Sequence, residues 1–157
     1  MDNKEIIHEF YRAFGKNDAE GMIACYHEEI EFQDPAFGLL KGHEARSMWR
    51  MLIQRNKGGI EISHDNVQAD GTQGSAKWTA RYIFSPTGRI VINQVKSHFE
   101  FKEEKIIRHF DYFDLWKWTR QAFGWRGYIL GWSPLMQNKI RLETAKLLRR
   151  YMEEQTE

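Results

Sequence analysis

Apolar side chains recur at Ile6, Ile7, Phe10, Tyr11 and Phe14, a spacing of three and four that places them on one helical face. Asp2 and Glu5 form a capping pair that predicts where this helix begins. A second, short helix is expected from Asn17 or Asp18, with Met22, Ile23 and Tyr26 turned inward. The period then falls to two. In EIEFQDPAFG, residues 29–38, Ile30, Phe32 and Asp34 alternate with Glu31 and Gln33, as in a half-buried strand. Pro35 ends that strand because it has no N–H to give to a ladder. After Gly42 the helical spacing returns, with Ala45, Met48, Trp49 and Leu52 on one side.

From residue 60 the pattern is that of strands: GIEISHDNVQAD, QGSAKWTARYIF, RIVINQVKSHFEF and KIIRHFDYFDL. Asp70-Gly71, Ser85-Pro86-Thr87-Gly88 and Lys102-Glu103-Glu104 separate them as turns, and connections this short imply antiparallel neighbours. The order helix, helix, strand, helix, then a bent meander is an α+β plan with helices on one side of a curved antiparallel sheet. Beyond residue 115, LWKWTRQAFGWRGYILGW carries Trp116, Trp118, Trp125 and Trp132. Ser133-Pro134 reads as an N-cap followed by proline at the first helical position. In the final helix Met136, Ile140, Leu147 and Tyr151 share a face.

Composition sharpens this outline. At 157 residues the chain suits one domain, and its 14% aromatic content suits a large core or an apolar ligand cavity. With 23 basic and 22 acidic residues the charge is nearly balanced, which argues against nucleic acid as a partner. Cys25 stands alone and is read as a small buried residue. No signal-peptide pattern opens the chain and no run approaches the ~20 apolar residues of a membrane span, so a cytoplasmic protein is the expectation.

Phosphate loops, dinucleotide glycine fingerprints and serine elbows are missing, and the six histidines fit no zinc spacing, so neither cofactor nor metal is expected. Carboxylates remain. Asp34 continues the Ile30–Phe32 face, where it is either an Asp-Pro turn residue or a buried acid. Asp111 lies on a strand with two plausible inner faces, Ile107, His109, Asp111 and Phe113, or Ile106, Arg108, Phe110, Tyr112 and Asp114. Its plain alternative is a surface partner for Arg108 or Arg81.

GKNDAEGMIACYHEEIEFQDPAFG, together with the order of elements over about residues 4–118, resembles the ketosteroid isomerase and nuclear transport factor 2-like superfamily. The resemblance implies a cone-shaped α+β domain in which a curved sheet and three N-terminal helices enclose one apolar pocket, within a homodimer. Similarity of QDPAFG to the isomerase's acid-Pro segment implies that Asp34 is a general base, and Tyr11 sits near that family's oxyanion-binding tyrosine. Ser97, in SHFEF, stands where the isomerase has a second acid. HFDYFDL is similar to a segment of limonene epoxide hydrolase, which implies a catalytic role for Asp111 and turns His109 and Phe113 into the pocket. That hydrolase's Arg and second Asp fall at Trp78 and Ala80, and its water-holding Tyr and Asn at Phe32 and Asp34, so its full catalytic set is not reproduced.

The expectation is therefore an acid–base enzyme of isomerase, cyclase or lyase type, or else a non-catalytic binder of a small apolar ligand. Its candidate catalytic residues are Asp34, Asp111, Tyr11, His109 and Ser97, and its candidate substrate-binding residues are Phe14, Phe32, Trp49, Trp78, Tyr82, Val95 and Phe113. Residues 1–118 would form the cone and 119–157 a Trp-rich helical extension packed on it. Interfacial tryptophans beside a basic helix also fit a peripheral membrane anchor, but Glu143, Glu153 and Glu154 dilute the charge, so a lid or outer layer is the expected role.

Overall fold

Asp2 caps the first helix as its spacing predicts, its carboxylate accepting the Glu5 N–H at 2.8 Å. The computed structural model describes residues 1–56 and 59–156, and of Tyr128 the backbone alone. Helix α1 (Asn3–Gly15) buries Ile6, Ile7, Phe10, Tyr11 and Phe14, and Asp18 caps α2 (Ala19–Ala24) through the Gly21 N–H. Met22 is buried and Ile23 only half-buried. Tyr26, expected on the helical face, instead opens strand β1 (Tyr26–Asp34), because the helix has already ended at Ala24.

A short strand unanticipated in the sequence, β2 (Gly38–Lys41), follows a tight turn after Pro35 and pairs antiparallel with β1. Gly38 has φ 70°, a conformation that glycine adopts freely. Helix α3 (His43–Asn56) buries Ala45, Met48 and Trp49. The meander follows as β3 (Glu61–Ala69), β4 (Gln73–Phe84), β5 (Arg89–Lys102) and β6 (Lys105–Tyr112). Strand order is β2-β1-β6-β5-β4-β3. The curved sheet is mixed and not wholly antiparallel as expected, since β6 returns beside β1 in the same direction. At Gly74 strand β4 packs closely on α1, and a Cβ there would lie 2.8 Å from Ile7 Cδ1.

An irregularity in the β5–β6 register lies between Glu100 and Phe101, opposite Arg108 and Ile106. It reverses the alternation of β6 at that point. Ile106 therefore points into the core with His109 and Asp111, and Ile107 does not share their face as either simple alternation required.

The tail forms α4 (Leu115–Phe123), which crosses residue 118, then α5 (Trp125–Leu130) and α6 (Pro134–Gln155). Trp118 Nε1 donates to Tyr82 Oη at 2.7 Å, and Gln121 Oε1 accepts the Ile92 N–H at 2.7 Å, fixing α4 to the sheet. Ser133 caps α6 through the Met136 N–H, with Pro134 at the start. Leu148 is the residue α6 buries most deeply, with Leu147, Tyr151 and Met152 packed beside it on the core. No described helix is long and apolar enough to cross a membrane.

Candidate functional site

Strand register brings the candidate residues together on the inner face of the sheet. Phe32 of β1 lies opposite His109 of β6, Asp111 opposite Ser97 of β5, and Val95 opposite Trp78 of β4. Helices α1 and α3 close over this row with Phe10, Tyr11, Phe14 and Trp49. The result is a polar cluster inside an aromatic shell. His109 is wholly buried, with Phe10, Phe32 and Phe99 rings 4.6–5.2 Å from its own.

Hydrogen bonds run through the cluster as two branches that meet on one atom. Along the first, Trp49 Nε1 donates to Tyr26 Oη at 2.8 Å, Tyr26 Oη pairs with His109 Nδ1 at 2.7 Å, and His109 Nε2 pairs with Asp111 Oδ1 at 2.8 Å. Along the second, Tyr11 Oη donates to Ser97 Oγ at 2.8 Å, and Ser97 Oγ donates to Asp111 Oδ1 at 2.5 Å. Trp78 Nε1 stands 3.5 Å from the same oxygen. Because Trp49 has a donor only, Tyr26 accepts there and keeps its own proton for His109 Nδ1. The imidazole then carries its hydrogen on Nε2 and presents it to Asp111. This assignment leaves no hydrogen of the chain unpaired, and both branches end as donors to Asp111 Oδ1. Among the described residues no donor reaches Asp111 Oδ2.

The surface alternative for Asp111 does not hold: Arg108 bonds Glu31 and Glu100, Arg81 pairs with Glu61, and Asp111 is 3% exposed. Burial, and next the Asp111 charge, hold the Tyr11 hydroxyl well above the usual phenol range, and burial does the same for Tyr26. Both therefore act as neutral hydrogen-bond donors.

Asp34 proves to be the Asp-Pro turn residue, with a side chain that is half-buried. Its Oδ1 accepts the Ala36 N–H at 2.9 Å and the Phe37 N–H at 2.5 Å, as an Asp-Pro turn requires. It is also buried enough that its carboxyl is pushed up to about 7, by burial first and, more weakly, by the Asp111 charge, against the two turn amides that lower it. Tyr82, Trp78 and Phe113 are half-buried and Val95 is buried. Tyr82's hydroxyl is engaged by Trp118 of the tail.

Tyr26 is the member of the cluster that sequence reasoning missed. Its even-numbered parity with Ile30 and Phe32 was the available signal, hidden by its apparent place in α2. Trp49 was expected as an apolar wall, and its indole N–H adds a polar role. Among the described residues no group of three or more His, Cys, Asp or Glu is placed to hold a metal ion.

The SnoaL-like domain family matches residues 7–109, which takes in every hydrogen-bonded member of the cluster except Asp111. No curated protein matches the chain in sequence. A candidate polyketide cyclase of Xanthomonas campestris superposes with a TM-score of 0.62 at 18% identity, over 75% of this chain and 94% of that one. An LEH-like epoxide hydrolase of M. tuberculosis gives 0.59 at 21% identity, over 80% and 90%. SalBIII, an epoxide hydrolase/cyclase-like enzyme with a role in pyran ring formation in the polyether salinomycin, gives 0.61 at 18% identity, over 71% and 90%. At such identities the likeness is one of fold.

Proposed function

The chain belongs to the SnoaL-like domain family, and on that premise we propose that it is an acid–base enzyme of cyclase, isomerase or lyase type acting on a small, largely hydrophobic substrate. One observation carries this reading: five side chains from α1, α3 and three strands converge through hydrogen bonds on a buried carboxylate, that of Asp111, within an aromatic shell. A purely structural core has no need of so long a polar chain, and a half-satisfied one would be costly. Fold neighbours described as cyclases and epoxide hydrolases support the reaction type.

The hydrogen-bond pattern favours roles opposite to those the isomerase likeness implies. Asp111, fed by donors on Oδ1, takes a proton from carbon next to a carbonyl through its unengaged Oδ2. His109 and Ser97 hold it in place, with Tyr26 and Tyr11 holding them in turn. Asp34, protonated up to about pH 7, supplies a hydrogen bond or proton to the developing enolate oxygen. Trp78, Phe32, Phe14, Val95, Tyr82 and Phe113 are the proposed apolar walls.

A suitable probe is hydrogen–deuterium exchange at the carbon next to the carbonyl of 2-tetralone, followed by NMR in heavy water. The protein accelerates exchange, Asp111→Asn lowers the rate by roughly 10²-fold or more, and the wild-type rate falls above about pH 7 as Asp34 loses its proton. Binding of the probe with no acceleration would mark a carrier instead, a reading to which Asp34's service in the turn lends some support.

A further inference from the structure

The tail carries large apolar side chains that the cone does not cover. Trp125 and Ile129 of α5, then Leu130, Trp132, Leu135 and Leu142, are 50–82% exposed. So many in one short segment form an apolar patch that calls for a partner. The charge around them is one-sided. From Leu115 to Leu142 the chain has five basic residues (Lys117, Arg120, Arg126, Lys139 and Arg141) and no acidic one, which leaves 18 basic against 22 acidic in the remainder. On α6, Leu135, Lys139, Leu142, Lys146 and Arg149 follow at alternating steps of four and three, and all are exposed. They form one face, leucine at its start and basic along its length, turned away from the side on which Leu148 is buried, and the acid at its edge, Glu143, pairs with Lys146 at 3.8 Å.

This charge selects among occupants. A second copy meeting the patch across a twofold axis would set the basic residues against their own equivalents, which is unfavourable. An anionic phospholipid surface suits both features, taking tryptophan and leucine at the headgroup boundary and lysine and arginine at its phosphates. We propose that α5 and the first turns of α6 attach this protein to anionic phospholipid bilayers. Arg141 Nε donates to the Pro35 carbonyl at 3.0 Å and Thr144 Oγ1 to the Ala36 carbonyl at 2.7 Å, so the attached helix crosses the turn that holds Asp34. A hydrophobic substrate dissolved in the bilayer would then meet the site at that turn. This consequence rests on the proposed function, whereas the attachment does not.

The test is co-sedimentation of the full chain with phosphatidylcholine vesicles with and without phosphatidylglycerol. Binding is expected only to the phosphatidylglycerol vesicles, and it weakens as salt screens the surface. The double variant Trp125→Ser, Trp132→Ser loses at least tenfold in partitioning, and Lys139→Ala and Lys146→Ala lose about fivefold each. All four side chains are exposed, so circular dichroism and thermal melting of these variants match the wild type. The proposal is overturned if the chain does not sediment with phosphatidylglycerol vesicles, or if both sets of substitutions leave binding unchanged. A concentration-dependent dimer that these substitutions abolish, with no vesicle binding, would assign the surface to a second copy and equally overturn it.

Discussion

Asp34 ends a strand, ties a turn and lies largely out of water, and these circumstances pull its proton in opposite directions. The Ala36 and Phe37 amides favour its charged form, whereas burial and the Asp111 charge favour the neutral one and prevail, raising it from 3.8 to about 7. Linkage then gives a stability effect with a definite sign. The folded protein keeps the proton up to about pH 7, while the unfolded chain releases it near 3.8. The stabilisation is therefore complete below the unfolded value and disappears as pH climbs toward 7. Asparagine still offers an Oδ1 to both amides but cannot ionise. Asp34→Asn should therefore be nearly neutral near pH 4 and more stable than wild type near pH 8, by on the order of 3 kcal/mol. Thermal melts of both proteins across this range check it, and a gap that does not change with pH would rule out the ionisation of Asp34 as its cause.

Elements differed in how far their sequence announced them. Helix α1 was legible at both levels, cap and stripe, and α6 at its cap, because Asp2 and Ser133 make local bonds that need no distant partner. All four meander strands were legible too, since each is bounded by its own turn. What escaped was set by neighbours. The parallel pairing of β1 with β6 depends on where the meander returns, and the irregularity at Ile107 depends on register with β5. The site was legible in the same uneven way. Asp111, His109, Ser97 and Tyr11 were named and lie in one hydrogen-bonded cluster, but only likeness to known enzymes chose between the two faces of β6, whereas Tyr26 needed the true end of α2. On α6 the expected stripe named Leu147 and missed Leu148, which is 4% exposed and joins the core. Truncating it should therefore be costly. Leu148→Ala removes the deepest apolar anchor of α6 and should destabilise by about 2–5 kcal/mol. It should also bring early proteolytic cleavage within residues 134–155, and an unchanged melting temperature with no new cleavage would show α6 held by other means.

Over the whole molecule, the environment of Asp34 is assembled from segments that are far apart in the chain. The turn at residues 34–37 supplies its amides, the strand pair β1–β6 sets Asp111 within electrostatic reach, and α6 closes over the turn from more than a hundred residues away. Two bonds make that closure, Arg141 to Pro35 and Thr144 to Ala36, and neither touches the carboxyl itself. If burial is the main reason that Asp34 holds its proton, loosening the closure should admit water and lower its pKa without altering a single direct partner. The double variant Arg141→Ala, Thr144→Val does this while leaving Leu148 and the core contacts of α6 in place. Its Asp34 carboxyl should titrate about 1 to 2 units lower than in wild type, toward the ordinary carboxylate range, as read from carboxyl carbon shifts in NMR. Any exchange activity on 2-tetralone should then begin to fall at correspondingly lower pH, because the acid form is lost sooner. Titration unchanged from wild type would mean that the cone alone buries Asp34, and that the tail has no part in tuning the site it covers.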